Sequence, residues 1–425
     1  MSPNRQAATA AMGHDASLWQ VFTRPATRAQ VNQRNVLIDG IGVGITAGVG
    51  SFLAVFLVRL GASSFMVSLL TAMPALTGMF LSIPVGEFLA RKRNVVPWFA
   101  RSRFLVLSCY VLTGLVPFFV TDAAPLVIVA IWALATLPQT VVSVAFTVVM
   151  GGVAGPGGRF TLMSRRWSIL GLTNALTVVI VGQLLTWFEF PLSYQVVFIG
   201  SAIGAFISVV FSSSLKLPPQ EVPEEQSDLV ATLRSHGAAL RHSRPFVNFL
   251  AAQFVFRWGM AMAIPLLPLY WVKEVGASDA QIGVINSSAT FLMMLAYFVW
   301  TRISQRRSER LVLLIAAFGV SFYPLMTALT RTPTLLPLWA GIGGFFTAGV
   351  DLVFFNIVLS TCPPDNQASY IGIYQTTVQM AAFIAPLMGA VLADAFGLAP
   401  ALIAATVLRL AGAALIARLG VGRET

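Results

Sequence analysis

The chain has 425 residues, of which 57% are hydrophobic and only 10% charged. A soluble domain carries about a quarter charged residues, so this composition excludes a water-soluble enzyme. The net charge of +11 invites a nucleic-acid reading, which the distribution of that charge, set out below, rules out.

The first 30 residues form a tail without the apolar centre of a signal peptide. Leu18, Trp19, Val21 and Phe22 give that tail a face that can rest on a membrane surface. Apolar runs follow at 35–58, 65–88, 97–120, 124–150, 163–187 and 191–214. Each is long enough to cross a hydrocarbon core of ~30 Å as a helix. Residues 216–245 are the one long polar segment of the interior, opening on Pro218-Pro219. They are too few and too polar to bury a core, and read as a cytoplasmic linker. Six further runs follow, at 246–272, 280–302, 310–330, 334–360, 370–393 and 400–419, before a short tail at 421–425. Backbone in lipid must satisfy its own hydrogen bonds, and the alternating segments of a β-barrel are missing. The prediction is an all-α membrane protein of twelve transmembrane helices in two bundles, residues 31–215 and 246–420.

Basic residues fall on one side of this arrangement. Arg91, Lys92, Arg93, Arg101 and Arg103, then Arg159, Arg165 and Arg166, then Arg302, Arg306, Arg307 and Arg310 are assigned to cytoplasmic turns, with Arg418 at the C-terminus. The other side holds only Arg59, Lys273 and Arg331. Positive charge retained on one side sets the topology, and both termini are predicted to be cytoplasmic, in an inner membrane. The two cysteines, Cys109 in a helix and Cys362 in a loop, imply no disulfide. No nucleotide or metal-site motif occurs, so no cofactor or metal is expected.

The two halves repeat each other. Gly61-Ala62-Ser63 opens a run that ends in Arg91-Lys92-Arg93, and Gly276-Ala277-Ser278 opens one that ends in Arg306-Arg307, 215 residues later. Arg159-Phe160 matches Ser369-Tyr370 at a spacing of 210. Parallel repeats of helix bundles are a mark of secondary transporters, with the substrate site between the halves.

Twelve spans split six and six, a long central loop, and basic turns after spans two and eight resemble the major facilitator superfamily. That family carries a Gly-x-x-x-Asp-Arg-x-Gly-Arg signature after span two. Here the segment runs from Gly86 and Glu87 to Arg91, with Ala90 at the acidic position and Asn94 at the last basic one. Gly86, Glu87 and Arg91 are the candidate gating loop. The resemblance implies a central cavity lined by repeat-related helices, with spans three, six, nine and twelve outside it.

Charged residues inside spans are costly and mark functional or paired positions. Asp39 follows Asn35 on one helix face, and Arg257 follows Gln253 on the repeat-related helix, so Asp39 and Arg257 are predicted to pair across the pseudo-two-fold axis. Asp351 lies at the centre of its span, where a desolvated carboxylate can take up a proton, or it is a partner for Arg409. Gln139, Asn174, Asn286, Asn356, Gln375 and Gln379 are candidate hydrogen-bonding groups, and Trp132, Trp258 and Phe355 candidate stacking surfaces. Gly40, Gly44 and Gly48 form a smooth face for helix packing.

The expected function is a monomeric secondary transporter in contact with membrane lipid. It moves a small neutral or amphipathic solute, in influx or efflux, by alternating access coupled to protons. A polytopic enzyme is the alternative class, but no His-Glu-x-x-His or Gly-x-Ser-x-Gly motif is present. A transporter-like channel or receptor is a third.

Overall fold

A computed structural model of the chain describes residues 27–154, 159–219, 244–361 and 367–421. The N-terminal tail, most of the 216–245 linker and Cys362 lie outside the described residues, as do the side chains of Phe355 and Asn356. Among the described residues there are twelve helices long and apolar enough to cross a membrane. Helix α1 spans Arg28–Arg59 in two segments, Arg28–Gly50 and Leu53–Arg59. Then come α2 (Ser64–Ala90), α3 (Val96–Phe119), α4 (Ala124–Ala154) and α5 (Arg159–Leu184). Helix α6 is also in two segments, Leu192–Gly200 and Ala202–Ser213. The second half comprises α7 (Arg244–Lys273), α8 (Asp279–Arg306), α9 (Glu309–Leu329), α10 (Leu336–Thr361), α11 (Gln367–Phe396) and α12 (Leu398–Arg418).

The shared tripeptide has a physical cause. Gly61 and Gly276 take positive φ of 86° and 67°, a conformation other residues resist. The alanine after each is buried, Ala62 at 1% exposure and Ala277 at 2%. The serine caps the next helix: Ser63 accepts from the Met66 backbone N–H and Ser278 from that of Gln281. One short device therefore stops a helix, anchors the turn and starts the next, once in each half.

Packing follows the repeat. Helix α1 meets α5 and α6, and α7 meets α11 and α12. Helix α4 meets α2 and α3, and α10 meets α8 and α9. The halves touch chiefly through α2 with α11 and α5 with α8, contacts that a two-fold axis exchanges. The glycine face of α1 seats α5: Gly40 faces Arg166, Gly44 faces Thr173 and Gly48 faces Thr177. A Cβ on Gly48 would stand 2.6 Å from that of Thr177, so only glycine permits the approach.

The end bearing Arg91, Lys92, Arg93, Arg306 and Arg418 is here called the basic end, and the opposite one the far end. One core at the far end crosses both halves, joining Phe52, Phe56 and Leu57 to Leu266, Leu269 and Trp271. At the basic end each half has its own core, one around Phe99 and Val149 and one around Phe249 and Phe354.

Candidate functional site

Asp39 and Arg257, predicted to pair, do not meet. Asp39 is 2% exposed inside the N-terminal half. Arg103 of α3 donates to its Oδ1, Arg166 of α5 donates to its Oδ2 at 3.0 Å, and the Ser208 hydroxyl of α6 donates to Oδ1 at 2.7 Å. Arg103 lies over the Phe99 ring at 4.5 Å and Arg166 over Phe146 at 4.7 Å. The expectation that both arginines sit in cytoplasmic turns is corrected: they lie within helices and are buried. One carboxylate between two guanidiniums ties four helices together, and such a pair holds only where geometry and added hydrogen bonds compensate for desolvation. Asn35 is buried one turn earlier.

Arg257 instead faces Asp351, near the middle of α7 and α10. Its Nη2 donates to Asp351 Oδ1 at 3.4 Å, and the two side chains keep 25% and 38% of their exposure. The guanidinium rests 5.3 Å from the Phe354 ring. Its Nε is buried without a hydrogen-bond partner among the described residues. So is Oε1 of Gln253, one turn earlier, whose amide N–H donates to Thr377 at 3.0 Å. Buried polar atoms lacking a protein partner are rare and point to functional positions. This loosely bonded, half-exposed ion pair contrasts with the closed one at Asp39.

The alternative pairing of Asp351 with Arg409 is also corrected. Arg409 is 3% exposed and bonds backbone: Nε donates to Gly259 O at 3.1 Å and Nη1 to Val320 O at 3.1 Å. A Cβ on Gly259 would stand 2.8 Å from Arg409 Cγ, so glycine there makes room for the side chain. Arg409 joins α7, α9 and α12.

At the far end a polar strap crosses the halves. Arg59, ending α1, meets Asp279, opening α8, with Nε donating to Oδ1 at 2.8 Å and Nη2 to Ala277 O at 3.0 Å. The Tyr194 hydroxyl of α6 donates to the same carboxylate at 2.6 Å. Composition gives no hint of this strap, because Arg59 reads from sequence as an ordinary loop cation. Arg103 is more accessible to sequence reasoning, since it falls seven residues inside α3 and is followed by the apolar run Phe104-Leu105-Val106-Leu107.

The other predicted groups are dispersed. Gln139 and Trp132 line a cavity within the N-terminal half. Gln379 lies against Gly78 at the α2–α11 contact between the halves. Gln375 is exposed, and Asn174 and Asn286 are half-buried. Trp258 meets the Phe254 ring edge-on at 5.2 Å. In the candidate gating loop Gly86 faces open space, so nothing packs on its bare Cα, and Arg91 is exposed. Lys92 lies over the Phe88 ring at 4.6 Å. No group of three metal-ligating side chains occurs among the described residues.

Comparison with known proteins agrees with this architecture. Residues 249–424 match the family model of the Major Facilitator Superfamily. The chain is 24% identical over 161 residues to the staphyloferrin B transporter of Staphylococcus aureus, covering 37% of this chain and 38% of that one. It is 29% identical over 152 residues to multidrug resistance protein MdtG of Proteus mirabilis, covering 33% and 36%. These matches thus span little more than a third of the relatives' own length. Among solved structures, a mutant form of the nucleoside transporter NupG aligns with a TM-score of 0.72 at 13% identity, over 91% of this chain and 99% of that one. A bacterial homologue of the human lysosomal transporter Spinster, inward-facing and occupied, aligns with a TM-score of 0.68 at 12% identity, over 93% and 96%. At such identities the structural likeness is one of fold.

Proposed function

We propose that the chain, whose residues 249–424 match the Major Facilitator Superfamily model, is a secondary transporter of that family that moves a small neutral or amphipathic solute by alternating access and draws on protons. It works as a monomer in an inner membrane, with both termini in the cytoplasm. The observation that carries this reading is the Arg257–Asp351 pair. It sits at mid-length in two helices of the C-terminal half, half-exposed, bonded at 3.4 Å, and the Arg257 Nε has no hydrogen-bond partner among the described residues. A carboxylate held so loosely can exchange its guanidinium partner for a proton, and a two-state protein can present it to either side in turn. Asp39, sealed among Arg103, Arg166 and Ser208, has no such freedom. The shared core and the Arg59–Asp279 strap hold the halves together at the far end, and this supports a cycle in which that end closes and opens. A multidrug resistance protein among the relatives favours efflux.

The experiment begins with a thermal-shift screen of metabolites and drugs and continues with the most stabilising compound in proteoliposomes. Asp351→Asn should abolish accumulation driven by a pH gradient and leave counterflow intact. Unchanged accumulation in that variant would make the pair structural. Saturable counterflow also separates a transporter from a channel, which would instead pass a steady current.

A further inference from the structure

Inside the N-terminal half, between α1, α2, α3 and α4, lies a cavity of about 300 Å³. Leu53, Met73, Val106 and Ala135 give it apolar walls, and none of the side chains lining it is charged. Tyr110 and Trp132 meet there edge to face, with ring centroids 4.7 Å apart at 86°. The indole N–H is committed to Thr113 at 3.0 Å, and the Thr136 hydroxyl to Ala133 O at 2.6 Å. The Tyr110 hydroxyl and the Gln139 amide, by contrast, make no hydrogen bond to the described residues. The hydroxyl lies over Gly50, where a Cβ would come within 2.9 Å of it, at the break between the two segments of α1.

We propose that this cavity binds the flat, uncharged ring system of the transported solute, with Tyr110 and Gln139 bonding a polar substituent on that ring. The assignment rests on the transporter reading above and names the solute class. A cavity at the small end of the range for ligand sites, about 300–1,000 Å³, admits one or two fused rings. Aromatic edges and faces in the wall favour a ring over an aliphatic chain. A lipid acyl chain would offer no hydrogen bond to the hydroxyl of the part-buried Tyr110 or to the Gln139 amide, whereas a ring bearing a polar substituent offers one to each. An anion would find no cation in the lining.

The probe is radiolabelled 1-naphthol, measured by equilibrium dialysis against the purified full chain in detergent. The expected result is saturable binding to one site. Ala135→Trp and Met73→Trp each place a ring in the cavity and should weaken it by roughly tenfold or more. Leu134→Trp, at a neighbouring position that is 68% exposed, should bind as the unaltered chain does. Tyr110→Phe and Gln139→Leu should weaken 1-naphthol by roughly three- to tenfold, the worth of a neutral hydrogen bond, and leave 1-methylnaphthalene unaffected. Thermal unfolding verifies each variant; if a tryptophan variant does not fold, the two polar substitutions decide. Absent saturable binding, or unaltered binding in folded variants with the cavity filled, overturns the assignment. A solute identified by counterflow that fails to compete with 1-naphthol overturns the substrate role. Binding is read without flux, so failure of transport leaves this result standing separately.

Discussion

Arg59 and Asp279 join the two halves of the molecule at its far end, with Arg59 Nε 2.8 Å from Asp279 Oδ1 and the Tyr194 hydroxyl 2.6 Å from the same atom. The three residues come from α1, α8 and α6, so the strap exists only while those helices are drawn together. A charge-assisted hydrogen bond of this kind contributes about 1.5–3 kcal/mol.

Asp279→Asn should therefore loosen the far end. A cysteine at Ala277, introduced with Cys109 and Cys362 replaced by serine, is buried in the native turn. Its reaction with a water-soluble maleimide should speed up by roughly tenfold or more when Asp279 becomes Asn, following the free energy above. The swap Arg59→Asp with Asp279→Arg should restore protection in part. Equal rates in all variants would show that the apolar core alone closes this end.

Asp39→Asn should destabilise the N-terminal half. The substitution leaves Arg103 and Arg166 buried with no carboxylate between them, a loss of about 3–5 kcal/mol. Ser208→Ala removes one neutral donor to the same carboxylate and should cost about 1 kcal/mol. Thermal unfolding of the purified variants gives the ranking, and an Asp39→Asn protein as stable as its parent would contradict it.

Much of the architecture is legible in the sequence, because twenty-residue apolar runs carry a strong signal. All twelve spans can be read there, within a few residues at most ends. The partners of the intramembrane charges cannot. A spacing of 215 places Arg257 opposite Gly42, yet the residues at which α1 and α7 meet α6 and α12 are Gly42 and Gly259, which are 217 apart. At ~100° per residue, a shift of two turns a side chain through roughly 200°, from one bundle face to the other. That shift aims Arg257 at Asp39 on paper and at Asp351 in the folded chain. Helix periodicity alone does not place Arg103 and Arg166 on Asp39, since their contact depends on how α1, α3 and α5 pack.

Asp351→Asn and Arg257→Gln should each impair transport driven by a pH gradient, and the double variant should be little worse than the worse single one. Contacting residues show such non-additivity, with interaction energies of about 0.5–3 kcal/mol. Strictly additive losses in folded protein would mean that the pair seen at 3.4 Å has no part in the cycle. Arg409→Gln, which disturbs carbonyl bonds between α7, α9 and α12, should act on stability and leave coupling per active molecule unchanged.

Gly61→Ala and Gly276→Ala should each cost about 1 kcal/mol or somewhat more, because alanine resists positive φ. Both glycines face open space, so the cost is one of backbone conformation without a clash. Ser278→Ala removes a helix cap and should lose a further ~1 kcal/mol. Differential unfolding of the three variants in one detergent provides the comparison.

Cysteines placed at Ser227 and Gly422 should resist an impermeant thiol reagent in intact cells, while one at Asp122 should react. Labelling of Ser227 from outside would invert the proposed topology.

The core that spans both halves at the far end also makes temperature a control variable. Parting those helices would bring Phe52, Phe56, Leu266 and Leu269 into contact with solvent or a wetted cavity. Exposure of apolar surface to water raises heat capacity. The balance between a closed and an open far end should then follow a curved, not a straight, van't Hoff plot. Because the hydrophobic contribution fades in the cold, the closed arrangement would hold most weakly at low temperature, and cooling would favour the opposite opening.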